Sequence, residues 1–368
     1  MNESRPLSDD DAVAGLADLG LSHRARKILR AVISEYLQTG AAVGSRTITR
    51  RRGIELSPAT VRNVMADLED MGLLSQPHTS AGRVPTQHGL RFFIDSLLRI
   101  RGLSPKEKEH IRLELLAETP TGIDQVLGRA SRMLSAITHY AGIVLTPNPD
   151  LRKLRHIELL PLSTGRYVCV LVTTDGHIEN RLVEVDVPVD DTQLERIHNY
   201  LTELLSGLTL AEVRDRVARE LADERAQVDA MVAAALKIGG AAVGRASSSA
   251  DVVVSGKANL LDIERIDDEE KLLRLRNLVS ALEDKEVMVE LLDRTMAGEG
   301  MRVFLGAETA LAPLEDSSVV AMPYGPDERP LGAIAVVGPT RMNYGKIMSV
   351  VDFTAELMTR LIADASAQ

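Results

Sequence analysis

Residues 57–84 run Ser-Pro-Ala-Thr-Val-Arg-Asn-Val-Met-Ala-Asp-Leu-Glu-Asp-Met-Gly-Leu-Leu-Ser-Gln-Pro-His-Thr-Ser-Ala-Gly-Arg-Val, and this spacing admits few folds. Ser57 is a helix cap, and Pro58 falls at the first helical position, where a missing N–H costs nothing. Val61, Met65, Leu68 and Met71, with Val64 alongside, recur at helical spacing and make one apolar stripe. Gly72 stops the helix, Leu73 and Leu74 begin a strand, and 76–82 is polar turn chemistry with one Pro and one Gly. A capped amphipathic helix followed by a short hairpin is the order in which a winged helix-turn-helix offers a recognition helix and a wing to DNA.

The flanking sequence supplies the rest of such a module. Residues 22–39 place Ile28, Leu29, Val32, Ile33, Tyr36 and Leu37 on one helical face, with Gly40 as the stop. Ser45 is positioned to cap a short second helix through Arg52, ended by Gly53. Another helix is expected over 89–101 with Phe92, Phe93, Leu97 and Leu98 inward, and a domain boundary near Gly102. Ser104-Pro105-Lys106-Glu107 is a capping box that opens a further helix, and 122–138 reads as one more.

Beyond that point the texture changes. Strands are expected over 141–145, 156–160, 167–173 and 177–185, with turns at Ser163-Thr164-Gly165 and Asp175-Gly176. Residues 190–238 are helical, 239–249 form a Gly/Ala/Ser linker, and 268–282 are helical again. Strands follow over 287–292, 302–305, 319–322 and 332–337. A last helix over 343–363 buries Ile347, Met348, Val351, Leu357, Met358 and Leu361. The fold class is therefore α+β and multidomain: an N-terminal winged helix-turn-helix, then an antiparallel sheet interrupted by a helical insertion. No repeat of solenoid period is present.

The net charge of −10 argues against a nucleic-acid partner until it is divided along the chain. Residues 21–101 carry thirteen Lys and Arg against six Asp and Glu, a net of +7. Residues 1–20, an acidic flexible arm by composition, carry −4, and the remainder carries −13. Association with DNA follows the local field rather than the total charge. The absence of Trp and the scarcity of other aromatics argue against a stacking platform for single strands. Cys169, the sole cysteine, excludes internal disulfides and Cys-based metal clusters and fits a reducing, cytoplasmic setting. The start lacks a basic region before an apolar one, and the apolar run 230–236 stops at Lys237, so neither a targeting segment nor a membrane span is expected.

The candidate DNA-contacting residues follow from chemical type. Ala59, Thr60, Arg62 and Asn63 are the outward residues of the first turn and a half of 57–71. Arg can fork to guanine O6 and N7, Asn to adenine N6 and N7, and Ala or Thr methyls suit the thymine methyl. Ser45, Ser57 and Thr60 can donate to phosphates beside the helix-start N–H groups. Arg50, Arg51 and Arg52 make a basic cluster on the second helix suited to backbone contact, Arg46 is a further candidate on that helix, and His78, Thr79 and Arg83 belong to the wing. Asp67, Glu69 and Asp70 gather at the far end of the helix, which must point away from phosphates. A three-helix unit with a hairpin can also serve protein interaction, and an Arg triplet is often only a solvated face.

Other motifs carry less. Ser255-Gly256-Lys257-Ala258 fails as a phosphate loop, because position 251 is Asp and no Ser or Thr follows Lys257. Gly338-Pro339 reads as a strand-to-helix turn capped by Thr340 or Asn343. His156 and His177 are isolated, with no metal-ligand spacing, and no nucleophile–base pair is spaced for catalysis. No catalytic, cofactor or metal site is expected.

Gly44-Ser45-Arg46, the segment 57–74, and Pro77-His78-Thr79-Ser80-Ala81-Gly82-Arg83-Val84-Pro85, taken in order, resemble the HrcA family of bacterial heat-inducible transcription repressors. Gly338-Pro339-Thr340-Arg341-Met342-Asn343-Tyr344 is similar to that family's C-terminal signature, and Leu90 stands where a Tyr is more usual. The resemblance implies a winged-helix domain over 21–102 and a GAF-like domain over 103–368, with an inserted dimerising region at about 187–262. It further implies a cytoplasmic homodimer on an inverted-repeat operator, CIRCE, upstream of chaperone operons. The chaperonin GroEL would keep the repressor competent until heat diverts it to unfolded clients. The helices of 190–238, rich in Leu, Val and Ala, are the expected dimer interface. A small-molecule sensor with a ligand in the GAF-like sheet is the alternative; the strands offer few polar or aromatic residues to hold one.

Overall fold

A serine opens the first helix and a left-handed glycine closes it. Helix α1 (His23–Thr39) begins where Ser22 Oγ accepts the Ala25 N–H at 3.2 Å. It ends at Gly40, whose φ of 68° lets its N–H return to Tyr36 O at 2.7 Å. The computed structural model describes residues 20–51, 54–78, 82–116, 123–147, 152–163, 165–174, 176–184, 191–222, 230–243, 251–263, 269–298, 300–326 and 330–366. The acidic arm, Arg52 and Gly53, and the wing-tip residues Thr79, Ser80 and Ala81 lie outside the described residues, but the second helix, expected to run through Arg52, already ends at Thr49.

Helix α2 (Ser45–Thr49) starts from Gly44 without a side-chain cap. Ser45 is its first helical residue, not its cap, and is buried. Helix α3 (Pro58–Asp70) follows the sequence expectation: Ser57 Oγ accepts the Thr60 N–H at 3.1 Å and Pro58 opens the first turn. Val61, Met65 and Leu68 are buried, but Met71, at the C-cap, is 47% exposed and falls outside the stripe. After Gly72, strand β1 (Leu74–Ser75) pairs antiparallel with β2 (Val84–Pro85). Val43 extends this hairpin, exchanging backbone hydrogen bonds with Arg83 at 2.8 and 2.9 Å. The approach is close enough that a Cβ on Gly82 would sit 2.4 Å from the Val43 carbonyl, so only glycine fits there. Helix α4 (Gln87–Phe92), capped by Thr86, runs into a π-helical turn, Phe93–Leu97.

The capping box at Ser104 is formed: Ser104 N donates to Glu107 Oε2 at 2.8 Å, and Glu107 N to Ser104 Oγ at 3.3 Å. It opens α5 (Pro105–Leu116). Helix α6 (Ile123–Thr138) packs on β3 (Ala141–Leu145), where Ser131 Oγ donates to Gly142 O at 2.9 Å. Strands β4 (Leu154–Ser163), β5 (Arg166–Thr173) and β6 (Ile178–Glu184) follow, then helices α7 (Asp191–Leu205), α8 (Leu210–Ala222) and α9 (Ala230–Val243).

The three strands do not join β3, as an uninterrupted antiparallel sheet would require. They form a separate sheet in the order β4-β5-β6, and α7, α8 and α9 share one hydrophobic core with it, from Leu154 to Ala242. Alternate residues along β5, Tyr167, Cys169 and Leu171, point into that core. The same alternation suits any half-buried sheet, so sequence shows a strand without showing its partner.

Strand β7 (Val252–Ser255), which the sequence did not single out, pairs antiparallel with β3 from Gly142–Ser255 to Leu145–Val252. Helices α10 (Lys257–Ile263), α11 (Glu269–Glu283) and α12 (Lys285–Met296) come next. The third corrects the strand expected over 287–292. Asp284 Oδ1 accepts the Glu286 and Val287 N–H groups, and Met288, Leu291, Leu292 and Thr295 are buried at helical spacing. A cap and a period of 3.6 override the β-branched valines. Then come β8 (Arg302–Leu305), two short 3-10 turns, β9 (Ser317–Tyr324), β10 (Gly332–Pro339) and α13 (Tyr344–Ser366). The larger sheet has the order β7-β3-β10-β9-β8, and β3, β9 and β10 are almost wholly buried.

By contact the chain divides into two compact units. One takes the residues up to Leu103 together with Val303–Val320 and Val337–Val350. The other takes Ser104–Arg302, Ala321–Val336 and Val351–Gln368. Among the described residues no helix is long and apolar enough to cross a membrane.

Candidate nucleic-acid interface

Burying Val61, Met65 and Leu68 leaves the opposite side of α3 outward. Ala59, Arg62 and Asn63 are exposed there, and Thr60 is half-buried. Ser57 and Thr60 hold each other, with hydroxyl oxygens 2.9 Å apart, so the first turn is pinned at its start. Asp67 and Asp70 are exposed toward the C-terminal end, where Asp67 lies one turn beyond Asn63 on the same side, so the carboxylates are set apart along the axis only.

The basic residues divide into two kinds. Arg46 and Arg50 are exposed and Ser57 lies beside the open N–H groups of α3. Arg51 instead donates from Nε to Glu35 Oε2 at 2.9 Å, tying the segment after α2 to α1. Arg83, at the wing base, lies with Nε 2.7 Å from Glu69 Oε2 and is largely covered. Both arginines therefore brace the module. Glu35 and Glu69 stand far from these arginines in sequence, and no local pattern marks either pair. Ser45, being buried, is removed from direct contact with a phosphate. His78 is exposed, and Thr79 lies outside the described residues. The structure thus brings Ser57, Ala59, Thr60, Arg62 and Asn63 together on one helix start.

The module is sewn to the C-terminal stretches of its own unit. Arg91 on α4 donates to Val303 O at 2.6 Å and forks onto Glu308, with Nε 3.0 Å from Oε1. Burial works against the Arg91 charge, but the hydrogen bond and charge of Glu308, with Asp95, more than offset it and hold its pKa above the ordinary value. Glu308 also accepts the Leu305 N–H at 3.0 Å, and Gln87 Nε2 donates to Leu305 O at 2.7 Å. Ser349 Oγ donates to Arg101 O at 2.9 Å. In the C-terminal motif, Tyr344 Oη donates to Thr340 O at 2.6 Å, and Asn343 Oδ1 accepts the Lys346 N–H at 3.2 Å, so Asn343 caps α13.

Two histidines read as isolated are not. His177 Nδ1 lies 2.9 Å from Asp124 Oδ2, and that hydrogen bond holds the Asp124 carboxyl below its ordinary range. His156 meets Glu158 and His198. A His-x-Glu pair on a strand was the available signal for the second; nothing local marks the first.

Comparison with known proteins agrees with this geometry. A model described as "Winged helix-turn-helix transcription repressor, HrcA DNA-binding" matches residues 20–94, and one described as "HrcA protein C terminal domain" matches 124–348. The heat-inducible transcription repressor HrcA of Sorangium cellulosum is 43% identical over 93% of this chain and 98% of its own length. That of Geobacter sulfurreducens is 42% identical over the same shares of each chain. A crystal structure described as a hypothetical protein at 2.2 Å resolution is similar with a TM-score of 0.60 and 26% identity, covering 94% of this chain and 99% of that one.

Replacing Glu308 tests the brace. Glu308→Ala leaves a largely covered guanidinium short of its main partner and uncaps Leu305, which costs about 1–3 kcal/mol. Chemical denaturation followed by far-ultraviolet circular dichroism should show that loss, and a smaller one for Glu308→Gln. An unchanged midpoint for Glu308→Ala would contradict the assigned role.

Proposed function

The chain belongs to the HrcA family of heat-inducible transcription repressors and carries a DNA-binding winged helix-turn-helix, and we propose that it represses chaperone operons in the cytoplasm as a homodimer on an inverted-repeat CIRCE operator. The observation that carries this reading is the exposed Ala59, Arg62 and Asn63 face on a helix start pinned by Ser57, within a stretch of net charge +7. That face enters the major groove: Arg62 and Asn63 read base edges, and Ala59 and Thr60 meet thymine methyls. Arg46, Arg50 and Ser57 contact phosphates, with His78 and Thr79 in the wing. Arg51 and Arg83 act by holding α2 and the wing in place, as their carboxylate partners support.

Dimerisation matches the two-fold symmetry of such an operator. The helices α7, α8 and α9, expected as the interface, spend their apolar residues on the core beneath the three-stranded sheet. The opposite face of that sheet is open and carries an apolar patch beside His156 and Glu158: Leu160, Ile178 and Leu182 are each about half exposed or more. Register sets Leu160, Val168 and Leu182 side by side across the three strands. This face supports a second copy of the chain as its partner.

Heat sensing follows the family scheme, in which GroEL keeps the repressor competent and unfolded clients divert it. A change of about 1.4 kcal/mol in the balance of competent and incompetent forms already alters their ratio tenfold, so no ligand is required.

Three experiments test the proposal. Arg62→Ala should cost about 1–3 kcal/mol on the operator, while Arg50→Ala should weaken all DNA about equally and lower the salt slope by about one; unchanged operator binding in titrations would remove Arg62 as a base reader. Leu182→Glu should turn a dimer into a monomer by sedimentation, and an unchanged dimer would remove the open sheet face from the interface. Adding GroEL to heat-treated repressor should restore operator binding; no recovery would contradict the chaperonin step.

A further inference from the structure

Away from the DNA-facing module, three side chains of metal-ligand type converge. His156 and Glu158 stand two apart on β4 and share a face of that strand, and His198 comes from α7. One donor atom from each lies within 4.8 Å of the others. His156 Nε2 and Glu158 Oε2 are 2.9 Å apart, and the two imidazole rings meet edge-on with centroids 5.2 Å apart. Among the described residues, His198 Nδ1 is buried without a hydrogen-bond partner. A buried polar nitrogen left so carries a desolvation cost that a bound group can remove.

We propose that His156, Glu158 and His198 bind one divalent transition-metal ion of the zinc class. Two imidazoles and a carboxylate are a nitrogen-and-oxygen donor set suited to zinc, cobalt or nickel, whereas calcium and magnesium take sets dominated by oxygen. Metal–ligand bonds of about 2.0–2.2 Å place tetrahedral donor atoms roughly 3.3 Å apart. His156 Nε2 and Glu158 Oε2 are already within that spacing, and no donor separation in the cluster exceeds 4.8 Å. Three protein ligands leave a fourth position for water. No sulfur competes: Cys169 faces the module core, where burial pushes its thiol up to about 12. A partly exposed His156–Glu158 ion pair alone would contribute little and would leave His198 unexplained.

The ion would join β4, an edge strand of its sheet, to α7, two elements that also share the apolar core. A ligand that binds only the folded form stabilises it in proportion to the logarithm of its concentration over Kd. Metal supply would thereby tune the stability of this module.

The test uses the full-length chain stripped with a chelator and titrated with zinc, then with cobalt. Native mass spectrometry should count one zinc per chain, and zinc should raise the melting temperature reversibly. Cobalt should give visible d–d bands without a sulfur charge-transfer band. His156→Ala and His198→Ala should each weaken zinc binding at least tenfold, and Glu158→Gln, which keeps the side chain's shape, should weaken it in a chain whose circular dichroism is unchanged. His177→Ala, at the separate Asp124 pair, should bind as the parent does. Binding that is absent in the parent, undiminished in all three cluster variants, or lost in His177→Ala would overturn the proposal.

Discussion

A helix that buries one stripe has no freedom over which residues it shows. Val61, Met65 and Leu68 go inward on α3, each contributing about 1.5–3 kcal/mol by burial. At 3.6 residues per turn, that choice turns Ala59, Arg62 and Asn63 outward. The braces act on a face already decided. Arg51 on Glu35 and Arg83 on Glu69 are partly exposed pairs worth about 0–1 kcal/mol each. They set where α2 and the wing stand, while the apolar stripe sets what the helix offers to a groove.

The same distinction between local and distant interactions explains what could be read in advance. Caps and stops are written within a few residues: Ser57 with Thr60, Ser104 with Glu107, Gly40 and Gly72 at left-handed ends. The winged module was legible for that reason. Strand partnership is not local, so β4, β5 and β6 were legible as strands but not as a sheet of their own. At 287–292 alternating valines imitated a strand, and the Asp284 cap carried the decision to helix. Among the candidate contacts, residue type could be read but engagement could not. Ser45 lost its place to burial, and Arg51 and Arg83 are held by carboxylates that no short spacing announces.

Charge is distributed in the same way as structure. The winged-helix sequence is basic and the remainder acidic, so the chain's net charge describes neither part. Within the acidic part, the three-stranded sheet and its three helices form a core of their own with apolar residues left over on the open face. Dimer contact and metal binding are assigned to neighbouring rows on one face of this sheet: the first to Leu160, Val168 and Leu182, the second to His156 and Glu158 with His198 from α7.

The central claim is that the outward face of α3 reads bases in the major groove. Methylation interference on an inverted-repeat operator tests it most directly, because methyl groups at guanine N7 block only the major groove. The account predicts interference at symmetry-related guanines in both half-sites, and loss of that interference when Arg62 is replaced by Ala. Interference confined to the minor groove, or an N7 pattern identical with and without the Arg62 side chain, would contradict it.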